Sequence, residues 1–236
     1  MSFKFTIFLF LLSLLFCPPL FADDSLQETV HEAIEDLVES NQNFVASKKD
    51  THFDNFADGQ DPRVTMVLCS DSRVQGHHFS EDGENDVFMA RNIGNQFATT
   101  RGSVTYGVNV LKTPVLIFIG HSHCGAVKAA MGDFSGLEAP IRKELDTLKL
   151  HGMTDEKKAV IENIHHQVSA ALKAFKGKVT AEELAILGAV YDFRDDYGHG
   201  KGQLIIVNLN GSRDPATIRA SHYLDGLRGV SVGVSD

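Results

Sequence analysis

Two distant apolar runs constrain this chain more than any other feature. Residues 64–68 (VTMVL) lead into Cys69-Ser70-Asp71-Ser72-Arg73, and residues 115–119 (VLIFI) lead into Gly120-His121-Ser122-His123-Cys124-Gly125. Both runs are short, continuous and rich in β-branched residues, the pattern of a strand buried on both faces. Each ends in side chains that ligate soft metals. If the two strands are neighbours in a parallel sheet, Cys69, His121 and Cys124 converge at its carboxyl edge, where open α/β sheets carry their sites. Two thiolates and one imidazole suit zinc. Three protein ligands leave a fourth position open, which is the mark of a catalytic rather than a structural zinc.

Cys-Ser-Asp-Ser-Arg at 69–73, Ala90-Arg91-Asn92-Ile93-Gly94-Asn95 and His-Ser-His-Cys-Gly at 121–125, taken in this order, resemble the paired signature and Arg-Asn block of the β-class carbonic anhydrases. The likeness covers roughly residues 50–208. It implies an α/β fold with a mostly parallel central sheet, an antiparallel edge strand and helices on both faces. It also implies one zinc ion per chain on Cys69, His121 and Cys124. The implied reaction is reversible hydration of carbon dioxide to bicarbonate and a proton, by zinc-bound hydroxide oriented by Asp71 and Arg73.

Other residues acquire roles only through this resemblance. Gln60 matches a substrate-contacting glutamine of the plant-type enzymes and Tyr106 an active-site tyrosine. Phe88 and Ile93 match apolar positions of the substrate pocket, and the Gly125 amide is placed to hold the developing bicarbonate. Taken by themselves, Gln60 reads as solvated, Tyr106 as core, and Asp71–Arg73 as an ion pair bracing a loop. The second group within the family carries a tryptophan three residues before the first zinc cysteine. Here that position is Met66, and the chain contains no tryptophan. An open site is therefore expected, with Asp71 on Arg73 rather than on the metal. His77, His78 or buffer would carry the proton away.

Three rival functions stay open at this level: a carbon disulfide or carbonyl sulfide hydrolase on the same scaffold, a non-catalytic zinc-binding interaction domain, and a metal-free protein with Cys69 joined to Cys124. In an oxidising compartment two cysteines ordinarily suggest a disulfide. Compartment enters because residues 1–22 read as a secretory signal peptide. Lys4 supplies the charge, residues 5–16 the apolar segment, and Leu20-Phe21-Ala22 the cleavage site. Cleavage would remove Cys17 and leave residues 23–236 as one exported domain, periplasmic or secreted. The chain's formal charge of −9 becomes one unit more negative without Lys4. That acidity argues against nucleic acid or an anionic membrane as partner. The resemblance adds a homodimer or higher homo-oligomer.

Local signals outline the remaining elements. Ser25-Leu26-Gln27-Glu28 reads as a capping box opening an amphipathic helix over about 26–47. Asp86 to Ala90 reads as a second strand, and Thr99 or Thr100 as the cap of a helix running to about Leu111. Further helices are expected after Cys124, around Ile141–Leu148, and from Thr154-Asp155-Glu156 to Gly177. Thr180-Ala181-Glu182-Glu183 reads as another capping box ahead of a strand at 185–193. A hairpin at 195–202 then leads to a last, antiparallel strand at 203–209, and Asp214-Pro215 opens a final helix. Asn210-Gly211-Ser212 matches a glycosylation triplet but reads more simply as a turn. His123, between two ligands, is set aside as a third, and the remaining histidines read as surface residues.

Overall fold

The computed structural model describes residues 24–234; the signal-peptide segment lies outside them. The chain divides into two units, one ending at Ala57 and the other running from Asp58. The first holds α1 (Asp24–Ser47) and α2 (Asp50–Asp54). The side chain of Ser25, the expected cap of α1, lies outside the described residues. The apolar stripe of α1, including Val30, Ile34 and Leu37, is exposed. Near its end Phe44, His52, Phe53 and Phe56 pack edge to face.

The second unit is built on a six-stranded sheet in the order β2-β1-β3-β4-β5-β6. Strands β1 (Val64–Cys69), β2 (Val87–Asn92), β3 (Val115–His121) and β4 (Ala185–Asp192) are mutually parallel. β5 (Gln203–Leu209) returns antiparallel to β4 through the expected hairpin. The antiparallel strand is not the last, because β6 (Ser231–Val232), unassigned from the sequence, pairs parallel outside it. A two-residue strand carries no periodicity by which to read it.

Side chains alternate across the sheet. Val67, Phe118 and Ile186 face one way, against α3 (Phe97–Asn109) and α6 (Glu156–Thr180). Met66, Leu68, Ile117 and Ile119 face the other way, beneath the loop carrying Val74 and Phe79. On that side α7 (Pro215–Arg219) covers the β5–β6 end through Ile206 and Ile218. Helix α6 lies close on the sheet because Gly120 and Gly188 lack side chains. A Cβ on Gly188 would stand 2.5 Å from Ile164 Cγ2, and one on Gly120 2.9 Å from the same residue's Cδ1. Two shorter helices, α4 (Gly125–Met131) and α5 (Ala139–Leu145), complete the wall beyond β3.

Three boundaries differ from expectation, each for a tertiary reason. Helix α3 starts at Phe97 after Gln96, not after Thr99 or Thr100. The Gln96 amide is taken by Asn92 Oδ1 at 2.7 Å, and Thr100 donates back to the Gln96 carbonyl from inside the helix. Helix α6 runs through Gly177 to Thr180 with a kink at Phe175; Phe175 is buried against Phe97 and keeps the turn on the core. Thr180–Glu183 therefore ends a helix and caps none, and Glu182 takes a left-handed conformation (φ 58°) before β4. The Asn210 side chain accepts the Ile186 amide at 2.7 Å, as a turn residue does.

Helix α6 also buries His165, which is 5% exposed and accepts from Asn208 Nδ2 at 3.0 Å. Burial, with help from Arg213 and His166, pushes its pKa down from 6.5 to about 4. Between those values the unfolded chain binds a proton that the folded chain refuses. This contribution to stability is complete above pH 6.5 and declines towards pH 4, by about 3 kcal/mol. Urea melts at pH 7 and 4.5 should differ less for His165→Gln than for the wild type. Equal pH slopes in the two proteins would remove His165 from the acid sensitivity.

Candidate metal centre

The site forms where the chain changes direction along the sheet. From β1 the connection runs to β2 on one side, while β3 lies on the other, so a crevice opens beyond the carboxyl ends of β1 and β3. Cys69 closes β1, His121 closes β3, and Cys124 follows as the residue before α4. All three are buried, and their ligand atoms lie within 4.8 Å of one another.

Both cysteines are free, with their sulfurs 3.9 Å apart. A disulfide needs about 2.05 Å, so the two sulfurs are not joined in this structure. His121 Nδ1 donates to the Ser122 carbonyl at 3.0 Å, which leaves the lone pair on Nε2. That nitrogen is buried without a hydrogen-bond partner, an arrangement typical of a metal-ligating imidazole. The contact between the two thiols, with the Gly94 amide, draws the Cys69 pKa down. The same sulfur–sulfur contact, with burial, pushes Cys124 well up. The pair thus holds one negative charge readily and resists a second, until a divalent cation lies between the sulfurs. The donor set and the orphaned imidazole nitrogen fit zinc.

Asp71 and Arg73 meet in a two-pronged pair. Arg73 Nε donates to Oδ1 at 2.8 Å and Nη2 to Oδ2 at 2.6 Å, and the Arg73 amide adds a bond to Oδ1 at 3.0 Å. These bonds hold the Asp71 carboxyl well below the usual carboxylate range. Arg73 also donates to the His123 carbonyl and lies over Phe193, whose ring stacks on His121. Asp71 Oδ2 is 3.8 Å from His121 Nε2, so the carboxylate borders the metal position while engaged with Arg73.

His123 takes a left-handed conformation (φ 54°), and its Nδ1 pairs with Glu156 at 2.9 Å. It turns away from the ligands, as its separate reading anticipated. Arg91 is the residue that sequence reasoning did not assign. Its guanidinium donates to the carbonyls of Cys69, Asp71 and Val74, and to Gln75 Oε1. The whole 69–75 loop is folded around that one cation. Its place within the Ala-Arg-Asn block was the only available signal.

The expected pocket residues do not gather in one place. Ile93 packs against the cluster containing Cys69 and Cys124, and Gly125 begins α4 directly after Cys124. Phe88 and Tyr106 pack on each other, with ring centroids 5.9 Å apart. However, Phe88 pairs with Thr65 while Asn92 pairs with Cys69, which sets it about 13 Å back along the strand. Tyr106 is 46% exposed. Gln60 is exposed ahead of β1, at the opposite end of that strand from Cys69. A groove of about 950 Å³ beside His123, Glu156 and Tyr197 is lined by none of the three ligands.

Comparison with known proteins bears on this geometry. The family model for carbonic anhydrase matches residues 64–199. Carbonic anhydrase 2 of Mycobacterium tuberculosis is 30% identical over 179 residues, covering 67% of this chain and 86% of that protein. A β-carbonic anhydrase of Coccomyxa superposes with a TM-score of 0.62 at 23% identity, covering 78% of this chain and 90% of its own. One of two tetrameric β-carbonic anhydrases from Sordaria macrospora gives 0.58 at 26% identity, covering 70% and 92%.

Proposed function

The chain belongs to the β-class carbonic anhydrase family, and from that premise we propose that it hydrates carbon dioxide reversibly to bicarbonate and a proton at the Cys69–His121–Cys124 centre. The observation that carries this reading is the buried, partnerless His121 Nε2 grouped with two free cysteines at the carboxyl edge of the sheet. Zinc held there supplies a Lewis acid that brings the pKa of a water near 7. The chain's own residues do the rest. Asp71, kept ionised by Arg73, accepts a hydrogen bond from the attacking oxygen and aims its lone pair at the substrate carbon. Arg73 in turn keeps the carboxylate from rotating, because both its prongs and its own amide are engaged. Ile93 offers an apolar wall for a small apolar substrate, and the Gly125 amide a donor to the product.

We place the rest of the pocket between two copies of the chain. Phe88 stands about 13 Å from its own Cys69 level, and Tyr106, packed on it, is exposed. With Gln60 they are available to a neighbour's metal centre rather than their own. The exposed apolar stripe of α1 is a further surface that association would cover. Export with loss of residues 1–22 completes the reading and rests on the segment's sequence.

The test is one preparation measured three ways: mass in solution, zinc per chain, and carbon dioxide hydration by stopped flow. The expected result is at least a dimer, one zinc per chain, and hydration that chelation abolishes. Turnover of carbon disulfide with no hydration of carbon dioxide would overturn the proposed substrate. A zinc-loaded chain inactive on both would make it a binding domain.

A further inference from the structure

A polar ladder inside an otherwise apolar interface leads from helix α6 to the metal centre. Asn163 and Gln167 stand one turn apart on α6 and share a face. They are 1% and 4% exposed, among residues that are mostly aliphatic. Gln167 Oε1 accepts the Phe97 amide at 2.9 Å, and its Nε2 donates to Asn163 Oδ1 at 2.7 Å. Asn163 Nδ2 donates to the Gly94 carbonyl at 2.9 Å and to Asn95 Oδ1 at 3.2 Å. The Gly94 amide donates to Cys69 Sγ at 3.4 Å. From the other side Gln96 Nε2 ties the Ile93 carbonyl to that of Glu144. Burying two carboxamides against a sheet is unfavourable unless every group is paired. Here the paired groups converge on the short turn whose amide touches a metal-ligand sulfur.

We propose that Asn163, supported by Gln167, is a positioning residue for the metal centre: it fixes the 93–95 turn so that the Gly94 N–H stays on the Cys69 sulfur. The inference rests on the zinc reading above. An N–H bond to a thiolate stabilises the sulfur lone pairs and draws charge away from the metal. A centre with two thiolates donates more charge than a three-histidine centre, and this bond restores part of the metal's electrophilicity. Partners of this kind, one step behind the ligands, typically govern metal affinity by about 10–100-fold.

The experiment compares the wild type, Asn163→Leu, Gln167→Leu and Val168→Ala. Val168 lies on the same helix, is fully buried, and packs in a different cluster. Zinc affinity is read by competition with a chromophoric chelator, and the cobalt-substituted proteins give the energy of the sulfur-to-cobalt charge-transfer band. Asn163→Leu is expected to bind zinc about 10–100-fold more weakly and to move the band to lower energy. Gln167→Leu should shift both in the same direction by less. Val168→Ala should lower the melting temperature and leave both readouts in place. A folded Asn163→Leu with wild-type affinity and band position overturns the proposal, as does a Val168→Ala that reproduces its shifts. Should Asn163→Leu not fold, Gln167→Leu and the ¹¹³Cd-loaded wild type decide. The Gly94 amide proton should show scalar coupling to cadmium through the sulfur, and its absence is equally fatal. A wild type that binds neither zinc nor cobalt removes the zinc reading and this proposal together. A metal-binding wild type matched by the variant removes this proposal alone.

Discussion

Replacing Cys124 with alanine is expected to give a protein that holds no zinc after purification and hydrates carbon dioxide no faster than buffer. Cys124 occupies the residue before α4 and is 1% exposed, so no water-facing group can take its place. Without its sulfur, Cys69 and His121 remain as two donors, short of the three that catalytic zinc sites use. The variant should also melt earlier, because it loses a buried side chain along with the metal. His121 Nε2 is then left buried without a partner in every molecule. Metal content by mass spectrometry and hydration by stopped flow decide the matter. Full zinc occupancy in the alanine variant would remove Cys124 from the ligand set, whatever its activity.

The second large effect separates chemistry from metal binding. Asp71→Asn should retain one zinc per chain and lose activity by about 10²-fold or more, the usual scale for a positioned proton-handling group. Asparagine keeps the shape of the side chain and one acceptor oxygen. It replaces the other acceptor with a donor and discharges the carboxylate that Arg73 grips with two prongs. Arg73 would retain the His123 carbonyl and the Phe193 ring, so the loop should stay close to its present course. That makes the variant diagnostic between two roles for the pair. If Asp71–Arg73 only braced the loop, the melting temperature would fall while the rate per bound zinc stayed near wild type. If Asp71 orients the attacking oxygen, the rate falls at full zinc occupancy with little change in melting. Wild-type turnover in the zinc-loaded asparagine variant would dispose of the catalytic role.

The grouping of Cys69, His121 and Cys124 as side chains that could hold a metal was legible at the ends of two apolar β-branched runs because both signals are local. A buried parallel strand reads as a continuous apolar stretch, and ligand chemistry is fixed by side-chain type. The order of strands and helices followed from the same periodicities, and the antiparallel return after β4 from the short hairpin that joins it to β5.

What only the tertiary structure decided involves polar side chains that reach across the chain. Arg91 carries no pattern that distinguishes a surface cation from one that folds the 69–75 loop around itself. Asn163 and Gln167 sit in α6 at positions that periodicity assigns to the core, yet they are bound to a turn far away in sequence. Helix ends moved for the same reason. Asn92 and Gln167 took the Gln96 and Phe97 amides at the start of α3, which Thr99 or Thr100 was expected to cap, and Phe175 held α6 past Gly177. The separation of Phe88 from its own Cys69 is a matter of strand register, which no motif records. Side-chain type and hydrophobic period are properties of a short segment, whereas a long-range hydrogen bond, a packing contact or a register exists only once distant segments meet.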